Sequence, residues 1–115
     1  MAIQLFHNPR CSKSRQTLAL LEAEGIDFEV ILYLDTPPDV NTVRHLLEKL
    51  DYTPRQLMRK NESKYRELEL DNDTLSEEAL IQAMVAHPIL IERPILVTDA
   101  KAAIGRPPEK VLEIL

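Results

Sequence analysis

One cysteine, Cys11, is all that 115 residues provide, so no internal disulfide can close. A reducing, cytoplasmic setting is the simplest expectation for such a chain. Glycine is almost as scarce, with two residues, and no stretch reads as a linker, a repeat or a low-complexity tract. One domain over residues 1–115, built on one core, is therefore expected. Positive charge is in deficit: the net charge is −5, which argues against general nucleic-acid binding and requires any basic site to be local. No apolar run approaches the length of a membrane span, and the first twenty residues lack a signal-peptide layout. Neither nucleic acid nor membrane is expected as a partner. Hydrophobic residues still make up 44% of the chain, enough for a globular fold rather than disorder.

Periodicity supplies the order of elements. Ile3–Phe6 reads as a short strand. Ser14–Glu24 carries Thr17, Leu18 and Leu21 at helical spacing, and Gly25 is a natural stop. Phe28–Leu34 is dominated by apolar residues and reads as a second strand, central in its sheet. The opening β-α-β unit predicts a parallel pair with a right-handed crossover. A helical block follows. Thr36-Pro37-Pro38-Asp39 begins one helix, with Thr36 as cap, and Val43, Leu46, Leu47 and Leu50 mark its apolar face. Thr53-Pro54-Arg55-Gln56 repeats the signal for a short helix, and residues 62–68 suggest another short turn. Ser76-Glu77-Glu78 starts a firmer helix with Leu80, Ile81 and Met84 inside, ending at Pro88. Ile95–Thr98 is a strand, Ala102–Ile104 its hairpin partner, and Pro107-Pro108-Glu109 opens a last helix. The order β-α-β, helical insertion, β-β-α predicts an α/β, thioredoxin-like fold with a mixed sheet.

On this map Cys11 falls between strand 1 and helix 1, within the stretch HNPRCSKSR. Unpaired N–H groups gather at a helix N-terminus and carry partial positive charge, which lowers a thiol pKa. Lys13 and Arg15 add charge, His7 could donate to the sulfur or position the loop, and Ser12 and Ser14 could cap the helix. The same amides can hold an oxyanion. A lone cysteine in an arbitrary protein is more often a small buried apolar residue. Here charged and polar neighbours surround it, and nucleophiles recur at this kind of junction.

Two related motifs are absent. A tyrosine-phosphatase loop would place arginine at position 17, where Thr17 stands. A thioredoxin dithiol would place cysteine at position 14, where Ser14 stands. Once Cys11 is bonded to a substrate, an external thiol must release it. Further along, Arg59 follows a helix, Arg93 precedes Pro94 at a strand start, and Arg106 precedes the last helix. Singly, each would pass for a surface charge. In a thioredoxin-like sheet, arginines at these positions can point into one anion pocket, and the guanidinium fork suits tetrahedral oxyanions.

HNPRCSKSR, YLDTPP, LMRKN, HPILIERPI and GRPPEKVLEIL, taken in order, resemble the glutathione- and glutaredoxin-dependent arsenate reductase (ArsC) family over residues 3–115. The CSKSR form is similar to the chromosomal branch of that family, where better-known members have Gly-Thr-Ser-Arg after the cysteine. The resemblance implies Cys11 as nucleophile, Arg59, Arg93 and Arg106 as oxyanion-binding arginines, and a cis peptide between Arg93 and Pro94. It places His7 where a family histidine supports the thiolate, with Ser14 and Arg15 beside it. It implies arsenate or a similar oxyanion as substrate, glutathione as co-substrate and glutaredoxin as partner, with no bound cofactor. One histidine and one cysteine do not make a zinc site, and no metal is expected. A monomer is expected. Two other classes share the fold. Spx-type regulators bind RNA polymerase, and the arginine set is not expected in them. A monothiol glutaredoxin-like protein would act on glutathionylated protein with no dependence on arsenate.

Overall fold

The computed structural model describes residues 2–115. Two compact units divide them: the chain as far as Thr36 together with Arg93–Leu115, and the intervening segment Pro37–Glu92. The first unit holds β1 (Gln4–Phe6), α1 (Ser12–Ala23), β2 (Glu29–Ile31), β3 (Ile95–Val97), β4 (Ala102–Ile104) and a terminal 3-10 helix (Pro108–Ile114). Its sheet has the order β2-β1-β3-β4, with β1 parallel to β2 and antiparallel to β3. This is the mixed, thioredoxin-like sheet that the element order predicts.

One core cluster of this unit lies on one face of the sheet. Leu5 and Leu96 stand opposite each other in the β1–β3 register, and with Leu21 of α1 and Val111 of the terminal helix they are fully buried. Ile3, Leu18, Leu20, Ile26, Phe28 and Ile114 pack around them. Strand β2 is not central, contrary to its composition. It is the edge strand, and Val30 and Leu32 are 41% and 40% exposed. The crossover through α1 puts β2 on one side of β1, and the β3–β4 hairpin takes the other. Ile95, Leu96 and Val97 of β3, all buried, hold the interior position instead.

Helix α1 begins two residues earlier than its periodicity indicates, with Cys11 itself as N-cap residue. Its buried stripe is Ser14, Thr17 and Leu21, polar for its first two members. Apolar periodicity cannot report such a turn. The helix ends before Gly25, whose φ of +68° is the left-handed conformation that glycine adopts without strain.

The second unit holds α2 (Val40–Leu50), α3 (Pro54–Leu57), α4 (Ser63–Glu67), α5 (Glu77–Ala86) and a 3-10 turn (Pro88–Leu90). Asp39, not Thr36, caps α2: its carboxylate accepts the Thr42 N–H at 2.8 Å. The two prolines displace the helix start by three residues, and the acid takes the cap position. Val43, Leu46 and Leu47 of α2 are buried, as are Leu80, Ile81 and Met84 of α5, which packs against it. Ser76 caps α5 through the Ala79 N–H, as its sequence indicates. A bridge between Met58 and Ile91 ties the end of α3 to the segment after the 3-10 turn. No helix among the described residues is long and apolar enough to cross a membrane.

Gly25→Ala tests the α1 stop. Nothing lies within 4 Å of the added Cβ, so only the backbone conformation is penalised. The variant is expected to lose about 1–2 kcal/mol in urea unfolding, with an unchanged m-value. An unchanged midpoint would mean that the turn adopts another conformation at no cost.

Candidate active site

Cys11 is part-exposed at the N-cap of α1. The loop before it is a folded turn. The Asn8 side-chain oxygen accepts the Arg10 N–H at 3.0 Å, and the Asn8 carbonyl accepts the Cys11 N–H at 3.0 Å. Asn8 is buried, and sequence reasoning did not single it out, although Asn-Pro is a turn-initiating pair. Ser14 does not cap the helix. Its hydroxyl accepts the Asn8 N–H at 3.0 Å and lies 2.6 Å from His7 Nδ1. His7 thus meets Ser14, and through Ser14 it braces the loop. Burial, and then the Arg15 charge, push the His7 pKa down, so the ring is neutral near pH 7.

The arginines separate into three cases. Arg106 Nη1 donates to the Arg93 carbonyl at 2.9 Å and lies 3.8 Å from Cys11 Sγ. Arg93, two residues before β3, brings its side chain and its charge to bear on the sulfur, and both lower the thiol pKa. Arg15 turns away to the Pro9 carbonyl at 2.9 Å and braces the loop rather than the thiol. Arg59 belongs to the second unit, where Glu62 Oε1 accepts from its Nε at 3.2 Å and Glu92 Oε1 from its Nη1 at 2.5 Å. Its backbone N–H donates to the Leu90 carbonyl at 2.7 Å. The Arg93–Pro94 peptide is cis, as the resemblance implies, and so is Arg106–Pro107.

Four influences set the thiol. Burial raises its pKa. The Ser14 backbone N–H facing the sulfur, hydrogen bonds from Arg93 and Arg106, and the Arg93 charge lower it and prevail. No full side-chain cap bond closes on α1, yet the Ser14 amide still favours the charged sulfur. Arg10, Lys13 and Arg15, the cations nearest in sequence, are not among the groups that lower it. Arginines remote in sequence supply that charge. The arrangement offers a thiolate nucleophile beside two guanidiniums and a helix N-terminus, which together suit attack on an anionic tetrahedral centre.

The model of the ArsC family matches residues 6–114. The chain is 58% identical to the uncharacterized protein YfgD of Escherichia coli (strain K12), over 98% of this chain and 96% of that one. It is 49% identical to an arsenate reductase of Neisseria meningitidis serogroup B, over 98% and 97% of the two chains. The solved structure of the arsenate reductase from Vibrio cholerae superposes with a TM-score of 0.97 at 52% identity, covering 100% of this chain and 98% of that one.

Alkylation of Cys11 by iodoacetamide across pH reads the thiol directly. Its midpoint is expected below the reference of about 8.5. The pKa is depressed in the folded state, so the thiolate's contribution to stability is complete above the unfolded-state pKa and disappears as pH falls through the folded one. Arg93→Ala and Arg106→Ala are each expected to raise the midpoint, and Arg15→Ala to move it less than either. A wild-type midpoint in both of the first two variants would remove these arginines from the thiol's environment.

Proposed function

The chain belongs to the ArsC family, and from that premise we infer that it is an arsenate reductase working through Cys11, with glutathione and glutaredoxin as reductants. The observation that carries the mechanism is the convergence of Arg93 and Arg106 on the Cys11 sulfur. The family match spans both units, which supports treating the chain as one domain with the helical unit as an insertion.

The Cys11 thiolate attacks As(V) of arsenate, an As–S bond forms, and one arsenate oxygen leaves as water after protonation. Arg93 and Arg106 stabilise charge on the remaining oxygens as the bond forms. The resemblance implies Arg59 as a further oxyanion-binding arginine. Glutathione then adds through its thiol to the same arsenic with loss of a second water. A glutaredoxin thiolate attacks the glutathione sulfur, a disulfide forms between them, and the released electron pair reduces As(V) to As(III). Hydrolysis of the remaining As–S bond frees arsenite and restores the Cys11 thiol. His7, Ser14 and Arg15 support the thiolate by holding its loop. The external thiols are needed because Cys11 is the chain's one cysteine. A cytoplasmic location, where glutathione and glutaredoxin are available, and a monomeric state complete the proposal.

A coupled assay following NADPH oxidation, with glutathione, glutathione reductase and glutaredoxin, with and without arsenate, tests this reading. Arsenate-dependent oxidation is expected. Oxidation with glutathionylated protein but not with arsenate would favour the glutaredoxin-like class. Cys11→Ser is expected to abolish turnover, since a hydroxyl without a strong base is a poor nucleophile. Alanine at Arg59, Arg93 or Arg106 is expected to remove about 1.5–3 kcal/mol of charge-assisted contact, or about ten- to hundredfold in kcat/KM. Lysine should restore each only in part, because it lacks the planar fork. Wild-type turnover and wild-type sulfate competition in two of the three alanine variants would exclude a joint oxyanion role.

A further inference from the structure

Gly105 separates β4 from Arg106 and lies where three chain segments come closest. A Cβ at this position would stand 2.5 Å from Thr17 Oγ1, 2.8 Å from Pro94 Cγ and 3.3 Å from Thr17 Cγ2. These atoms have little freedom to withdraw. Thr17 is fully buried, its branched Cβ restricts χ1, and its hydroxyl donates to the Lys13 carbonyl at 2.9 Å. Pro94 Cγ belongs to a closed ring. The Gly105 N–H also donates to the Pro94 carbonyl at 3.0 Å. A side chain here must therefore move backbone.

Each segment that would move carries one part of the thiol site. Thr17 lies on the helix that Cys11 caps. Pro94 directly follows Arg93, and Gly105 directly precedes Arg106. We propose that Gly105 is a positioning residue for this site: its missing side chain lets α1, the start of β3 and the end of β4 close to the spacing at which Arg93 and Arg106 reach the Cys11 sulfur. Arg106 Nη1, at 3.8 Å from Sγ, is already at a long separation, so a small displacement removes the contact. The inference deepens the reductase reading and rests on it for the substrate, while the thiol's own behaviour tests the geometry.

The variants are Gly105→Ala, Thr17→Ala and the double variant Thr17→Ala/Gly105→Ala, each checked for folding by circular dichroism. The readouts are the pH profile of Cys11 alkylation and its protection by inorganic phosphate. Gly105→Ala is expected to raise the alkylation midpoint by about one unit, a roughly tenfold loss of thiolate at pH values below it, and to weaken phosphate protection. The double variant, with both Thr17 atoms gone, should recover most of the shift. A folded Gly105→Ala protein with the wild-type profile, or a double variant with no recovery, would overturn the proposal, since a purely structural glycine would alter melting alone. If Gly105→Ala does not fold, the double variant is compared with Thr17→Ala. Pro94 Cγ still crowds the new methyl, so a small residual rise over Thr17→Ala supports the role and an identical midpoint overturns it. Neither readout contains arsenate. A protein that showed these shifts yet failed to reduce arsenate would lose its assigned substrate and keep its positioning glycine.

Discussion

Negative charge on one sulfur, held at the end of a helix, is what the surrounding structure has to accommodate. Partial burial opposes that charge, because a thiolate is better solvated by water than by protein. The Ser14 amide, Arg93 and Arg106 reverse the balance. The guanidiniums come from segments more than eighty residues away in the chain, and the β3–β4 hairpin delivers both. A chain of net charge −5 thus concentrates positive charge at one place, which is what an anionic substrate needs and what a nucleic-acid surface would not look like.

Polar side chains replace apolar ones wherever α1 approaches the site. Ser14 and Thr17 occupy the buried stripe that Leu21 continues, and each hydroxyl has a partner inside the protein. Burial of a hydroxyl is tolerable when it is hydrogen-bonded. His7 and Asn8 meet Ser14 from the end of β1, so the strand and the helix share one network beneath the cysteine loop. His7 contributes as a neutral ring, consistent with its lowered pKa and the adjacent Arg15 charge. In the second unit Arg59 follows a different principle, with its guanidinium oriented by Glu62 and Glu92.

The order of elements was legible because apolar periodicity and cap residues are local signals. The α1 stop at Gly25, the capping of α5 by Ser76 and the β3–β4 hairpin all follow from them. Position within the sheet was not legible, since FEVILYL has the composition of an interior strand and yet lies at the edge, where connectivity alone places it. The first turn of α1 was invisible for a related reason: its inward residues are hydroxyls. In the site, Cys11, Arg93 and Arg106 were readable from chemistry and proline punctuation. That Arg15 reaches the Pro9 carbonyl of the loop rather than the sulfur was not legible, because proximity in sequence does not say which way a side chain turns. Asn8 and Gly105 left only faint marks, an Asn-Pro pair and a glycine before an arginine, whose meaning depends on what packs against them.

The balance of forces on the sulfur also bears on how a single-cysteine enzyme completes a cycle. A lower pKa enlarges the thiolate fraction but weakens each thiolate as a nucleophile, so the most effective attacking thiol has a pKa near ambient pH. The same lowering makes the sulfur a better leaving group when its bond to arsenic is broken. In the proposed cycle Cys11 serves in both capacities, because no second cysteine takes over either step. Burial works against the arginines here rather than with them, which limits how far the thiol is depressed. That opposition suits a nucleophile that must attack readily and still leave when its bond to arsenic is hydrolysed.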